Sequence, residues 1–277
     1  MNVKTIVPAV LAAVLLSLPL SAQENPPRIS FEAELGTIKI LSHMYRVGAE
    51  PANSNFDFVN QGGQEILFPF GRLTAFLTLR DRHQIRFIYQ PLELKTEVDF
   101  RDPVTVDGKT FPDATRMTYS FPFYRVTYQY RFLSGPSFWL AGGGAIQLRN
   151  ASIRFEDLSD STLAVSQNLG IVPALALSGR AALGGGWFAG FEATGIYASS
   201  ALFNGADFQF AGSILAASLR VGRTVAAGRD AFLNARFFGG SAAGVSQFER
   251  AAWSNSDSPE TENRIASVTL TLGATLR

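Results

Sequence analysis

The chain contains no cysteine. That absence removes a disulfide framework, a thiolate metal site, a cysteine nucleophile and a lipid-modified cysteine anchor. Charged residues are scarce as well, at 17% of the sequence against roughly 25% in ordinary soluble domains, although the 47% apolar share is ordinary. Neither sign of charge dominates: 24 Lys and Arg oppose 23 Asp and Glu for a net of +1, so the basic excess of a nucleic-acid binder is missing. Histidine is limited to His43 and His83. After Ala22 there is no apolar run approaching the ~20 residues that a membrane-crossing helix needs.

What is present begins with an address. Lys4 gives a short positive start, Ile6 to Leu20 an apolar stretch, and Ser21-Ala22 a small-residue cleavage site, the pattern of a secretory signal peptide. The apolar stretch is about 15 residues and contains Pro8 and Pro19, too short for a membrane anchor. The chain therefore divides into a leader over 1–22 and a single domain over 23–277.

Period-two alternation fills that domain. Val126, Tyr128, Tyr130 and Phe132 share one side of a strand, and Arg125, Thr127, Gln129 and Arg131 the other. Ala266, Val268, Leu270, Leu272, Ala274 and Leu276 oppose Ser267, Thr269, Thr271 and Thr275 in the same way. About ten such segments are predicted, near 29–47, 65–80, 83–100, 115–133, 136–155, 167–183, 186–198, 208–225, 230–245 and 264–277. Most exceed the five or six residues usual for a globular strand. Their connections alternate between long polar stretches and short turn-forming ones such as Gly184-Gly185-Gly186, which describes an up-and-down antiparallel meander with one tight end and one ragged end.

A leader, an even number of long antiparallel strands, and short turns at one end with long loops at the other resemble a bacterial outer-membrane β-barrel. The resemblance covers the whole mature chain and is architectural. It implies an all-β, single transmembrane barrel of about ten strands, with termini and short turns periplasmic and long loops facing an outer leaflet of lipopolysaccharide type. It also implies a monomer with membrane lipid, and not nucleic acid, as its partner. The chain ends Ala274-Thr275-Leu276-Arg277, without the terminal aromatic common in that family. Aromatic residues beside the short turns (Phe132, Phe138, Trp139, Trp187, Phe188, Phe232) suit an interfacial girdle.

The apolar side changes phase at Pro69-Phe70-Gly71, at Pro91 and at Pro122. A one-residue slip of that kind predicts β-bulges in three neighbouring strands. With these phases the lumen-lining candidates are Arg72, Arg86, Glu93, Lys95, Glu97, Arg116, Arg125, Arg131, Glu192, Arg220 and Arg236, joined by Glu32, Glu34, Lys39 and Arg180. Ten strands enclose a narrow space, so guanidinium and carboxylate groups are expected to pair across it as a hydrated plug. The alternative is a narrow porin-like channel preferring anions, because arginine is in excess.

Catalytic signals are thin, and the sequence reads as a structural or interaction protein, not an enzyme, with no cofactor and no metal site. Barrel hydrolases of similar size set the comparison. The omptin proteases use an Asp-His pair, which His43 with Asp57 or Asp99 would imitate. The lipid A deacylases use a Ser-His-acid triad, which His43 with Ser42 or Ser120 would imitate. Gly142-Gly143-Gly144 and Gly184-Gly185-Gly186 lack the Lys-Ser/Thr of a phosphate loop and read as small residues in a wall or turn.

Overall fold

The computed structural model describes residues 26–47, 54–199, 210–245 and 260–277, so the predicted leader lies outside the described residues. Ten strands follow in chain order: β1 (Arg28–Val47), β2 (Leu67–Leu79), β3 (His83–Gln90, resuming as Glu93–Asp99), β4 (Ala114–Ser120, resuming as Phe123–Ser134), β5 (Phe138–Asp157), β6 (Leu163–Gly184), β7 (Trp187–Ser199), β8 (Phe210–Ala226), β9 (Arg229–Val245) and β10 (Glu260–Leu276). Each pairs antiparallel with its chain neighbours, and β10 returns to β1, with Phe31 opposite Leu276. The sheet is thereby closed into an up-and-down barrel, whose ring of pairings is continuous toward the short turns.

The tight end follows from local turn chemistry. Arg80 and Asp81 take φ values of 50° and 58° between β2 and β3, the left-handed pair that lets two strands reverse without splaying. Gly184, Gly185 and Gly186 have φ of 90°, 58° and 81°, a run that side chains would strain. Gly143 serves another purpose, since a Cβ there would collide with the Tyr128 carbonyl oxygen of the neighbouring strand.

The alternation has a constant geometry and a changing content. The register between β3 and β4 is the same on both sides of Pro91 and Pro122, with Gln90 opposite Phe123 and Glu93 opposite Ser120. β2 likewise pairs with β1 without interruption from Thr78 to Leu67. The bulges predicted at Pro69, Pro91 and Pro122 are therefore absent. The prolines interrupt hydrogen bonding without adding a residue, and inward parity is preserved. Register shifts lie elsewhere: in β1 between Ile40 and Ser42, between β4 and β5 at Leu140/Ala141, and beside the short turns at Ala182/Gly184 and Thr224/Ala226.

What changes at this depth is the solvent on each side of the wall. Toward the short turns, the outward residues are apolar and bare, among them Leu35 (72% exposed), Leu175 (73%) and Leu272 (71%). Inward positions there are polar and buried, as with Glu34, Arg72, Arg125 and Thr271. Beyond Pro91 and Pro122 the order reverses. Leu92, Leu94, Met117, Tyr119 and Phe121 are buried inside, while Glu93, Lys95, Glu97 and Arg116 face outward. The apolar belt on β10 runs from Ala266 to Leu276, and at ~3.4 Å per residue and a tilt of ~45° it rises ~25 Å, the height of a transmembrane β-barrel belt.

The wall also splits at this level. Leu73 opposite Tyr89 is the last pair between β2 and β3, and Glu93–Asp99 pairs with β4 alone among the described residues. The segment between the short strand Ser54–Asp57, which pairs with the end of β1, and β2 fills the wedge. A Cβ on Gly63 would stand 3.1 Å from Val98 Cγ2.

These faces set a contrast that unfolding from lipid vesicles reads directly. Leu272→Arg places a guanidinium near the middle of the belt and should cost ~2–4 kcal/mol. Lys95→Ala, on the outward face beyond the belt, should change stability by less than ~0.5 kcal/mol.

Candidate functional site: the layered lumen

Charged inward side chains of seven strands, with uncharged partners from the other three, converge on an ionic layer. Glu34 of β1 is 1% exposed and accepts from Arg236 Nη2 at 2.9 Å, Asn234 Nδ2 at 2.7 Å and Thr271 Oγ1 at 2.8 Å. Arg72 Nε lies 3.7 Å from the same carboxylate. Glu192, on β7 across the lumen, is reached by Arg72 at 3.2 Å, Arg86 at 3.0 Å and Arg220 at 3.2 Å. Arg220 also donates to Glu32 at 2.7 Å. Arg125 is buried with no carboxylate among the described residues and donates to Gln147 Oε1 through Nε (3.0 Å) and Nη2 (2.7 Å). Gln129 accepts from Arg86 Nη2 at 3.2 Å and from Ser178 Oγ at 2.9 Å. In a water-poor interior each charge needs such partners, because breaking a buried pair leaves an unsolvated ion.

The candidate list divides along the line where the faces reverse. Arg72, Arg86, Arg125, Glu192, Arg220 and Arg236 meet in the ionic layer, and Arg131 points inward nearer the short turns. Glu93, Lys95, Glu97 and Arg116 do not line the lumen. They sit on the outer face, where Arg116 pairs with Glu97 at 2.8 Å and Glu156 at 3.7 Å. Their misplacement follows from the assumed slip at Pro91 and Pro122. Lys39 also faces outward, its Nζ donating to the Glu65 carbonyl. Sequence reasoning missed the uncharged partners Gln129, Gln147, Asn234 and Ser178. Their inward parity was legible, but nothing in composition marks an amide as the mate of an arginine.

The expected girdle divides too. Phe132, Phe138 and Trp187 are exposed on the outside. Trp139, Phe188 and Phe232 point inward, and each lies under a guanidinium: Arg131 at 4.7 Å, Arg180 at 3.5 Å and Arg220 at 4.5 Å from the ring centroids.

Past the ionic layer the lumen turns aromatic. Phe238 of β9 meets Phe121, at the break in β4, and Phe123 of β4 at centroid distances of 5.9 and 6.3 Å. The connections fold inward to complete this layer. Phe56 stands edge-on to Phe58 at 4.9 Å and to Phe155 at 5.0 Å, and Phe111, from the small hairpin Val104–Val106/Lys109–Phe111, reaches Phe155 at 5.8 Å.

His43 belongs to this layer. It is fully buried, stacked on Phe58 at 4.4 Å and edge-on to Tyr119 at 4.5 Å. Both ring nitrogens are engaged, Nδ1 with Gln64 at 2.7 Å and Nε2 with Asn263 at 2.9 Å. Asp57 instead caps its own turn through the Val59 and Asn60 amides at 2.9 and 3.0 Å, and Ser42 and Asp99 are exposed on the outer face. The ring thus hydrogen-bonds to none of the four partners considered for it. Among the described residues no group of three or more His, Asp or Glu is arranged to hold a metal ion.

A closed ring of strands, a bare apolar belt outside and ions within form an arrangement that only hydrocarbon surroundings make sensible. The fold is that of an outer-membrane-type β-barrel. No protein-family model matches the chain, and no curated protein matches its sequence. Among solved structures it is similar to the outer membrane protease OmpT from Escherichia coli, at 11% identity and a TM-score of 0.47 over 90% of this chain and 96% of that one. A FadL homologue from Pseudomonas aeruginosa matches at 10% identity and 0.34 over 90% of each chain. The outer membrane protein OprG from the same organism matches at 9% and 0.35 over 92% of this chain and 99% of its own.

Removing Glu34 tests the ionic layer. Glu34→Ala leaves Arg236 and Arg72 facing a lost carboxylate and should destabilise the barrel by ~3–5 kcal/mol in urea titrations from lipid vesicles. Glu97→Ala, which breaks an exposed pair, should leave the unfolding midpoint in place.

Proposed function

We propose that the protein is a monomeric, non-enzymatic resident of the bacterial outer membrane whose lumen is closed to through passage. The observation that carries this reading is contact across the lumen at two depths. Arg72 and Arg86 reach Glu192 on the opposite wall at 3.2 and 3.0 Å, and Phe238 meets Phe121 further along. An ionic layer followed by an aromatic one blocks hydrated ions twice, by pairing and then by exclusion of water. Short turns and termini face the periplasm in this reading, and the charged outer rim, with Arg46 paired to Glu262 at 2.7 Å, stands at or beyond the headgroups of a lipopolysaccharide-type leaflet. His43, enclosed by rings and amides, supports a structural role for the imidazole.

A narrow anion-preferring channel is the second reading. It is favoured by the imbalance in the ionic layer, where Arg72, Arg86, Arg125, Arg220 and Arg236 face Glu32, Glu34 and Glu192.

Fractionation and conductance separate the readings. The protein should stay in the membrane pellet after carbonate washing and shift its gel mobility on heating. In planar bilayers it should give no unitary steps above baseline. Steady steps with anion preference would replace the closed lumen with the channel.

A further inference from the structure

At the short-turn end the lumen opens into a cavity of about 490 Å³. Arg28 and Arg277, with exposed side chains, mark its mouth, and Arg86, Arg131, Arg180 and Arg220 line it further in. Against these stand Glu32 and Glu192 in the wall, with Asp81 holding Arg28 and Asp230 holding Arg180 and Arg277. Six guanidinium groups therefore share four side-chain carboxylates, and Glu192 is shared again with Arg72 beyond the cavity.

Arg131 is the cation left over. No carboxylate among the described residues pairs with it. Its Nη1 donates to the Asp81 carbonyl at 3.3 Å, its Nε has no partner, and its guanidinium lies 4.7 Å from the centre of the Trp139 ring. Buried Arg86, on the same cavity wall, also has an unpartnered Nε and lies 5.2 Å from the centre of Phe76. An arginine stacked on a ring keeps its in-plane N–H fork available, and that fork matches a carboxylate or phosphate. Arg131 cannot shed its proton to relieve the imbalance. Deeper in the barrel, the unpaired charge of Arg125 adds a field of the same sign.

We propose that this cavity binds a small organic anion, a carboxylate or phosphate monoester carried on a flat apolar body, with Arg131 holding the anionic group and Trp139 and Phe76 flanking the body. The volume falls within the ~300–1,000 Å³ of small-molecule sites. The cavity is entered from the short-turn end, where Arg28 and Arg277 stand at its mouth. The site goes beyond the closed-lumen reading and does not require it, since an anion would dock there whether or not ions pass further.

Calorimetry on the full-length protein in detergent micelles tests the proposal, with benzoate and phenyl phosphate as probes and benzyl alcohol and inorganic phosphate as controls for ring and charge. Both aromatic anions should bind saturably and more weakly as salt rises. Benzyl alcohol should not bind, and inorganic phosphate should bind less tightly than phenyl phosphate. Arg131→Gln should weaken binding at least tenfold, whereas Arg223→Gln, on the outer face beside Trp187, should not change it. If Arg131→Gln fails the heat-mobility check for folding, Trp139→Leu carries the same expectation. No saturable binding of either aromatic anion, benzyl alcohol binding as tightly, or undiminished affinity in the folded variants would overturn the site. Unitary steps in bilayers with anion binding intact would sink the closed lumen and leave this site standing.

Discussion

A single plane across the barrel, passing near Lys39, Pro91 and Pro122, separates two arrangements of the same wall. On one side of it the strands show hydrocarbon-compatible residues outward and ions inward; on the other they show ions outward and rings inward. The register between β3 and β4 runs through this change unaltered, because backbone pairing does not depend on which face is apolar. The side chains are not indifferent. Each must match the medium it meets, so the wall inverts its pattern where hydrocarbon ends and water begins.

That inversion explains why the lumen has two kinds of filling. Within the belt, inward positions cannot all be apolar, or the wall would be greasy on both faces and specify no orientation. They carry ions, and buried ions demand partners, which is why Glu34 gathers Arg236, Arg72, Asn234 and Thr271 around one carboxylate. Beyond the belt the barrel behaves as a water-soluble protein would, with a packed aromatic interior. The connections after β1 and β3 contribute Phe56, Phe58 and Phe111 to that interior because the strands alone do not fill it.

Function follows from contents more than from outline. A ten-strand barrel is a generic container, and a fold by itself does not imply a function. In this chain the distinguishing feature is the distribution of arginine in the lumen, where Arg72, Arg86, Arg125, Arg131, Arg180, Arg220 and Arg236 each stand against a carboxylate, an amide or a ring. Where the carboxylates run short, at Arg125 and Arg131, the positive charge is held by a glutamine in one case and by a tryptophan face in the other.

Strand positions, the pairing of short and long connections and the inward parity of Arg72, Arg86, Arg125 and Glu192 were legible because alternation is a local property of the chain. The same alternation misled at Glu93, Lys95 and Glu97. A reversal of the apolar phase reads identically whether the strand slips by a residue or its surroundings exchange. Only the register across Pro91 and Pro122 distinguishes them, and register belongs to two strands at once. By itself the sequence determined a meander of ten long strands with charges on one face. Tertiary structure decided which face was inside at each depth, which arginine met which acid, and that His43 would be enclosed by Phe58, Tyr119, Gln64 and Asn263, because the fold-back of the connection after β1 supplies Phe58 and Gln64 and the closing of the ring supplies Asn263.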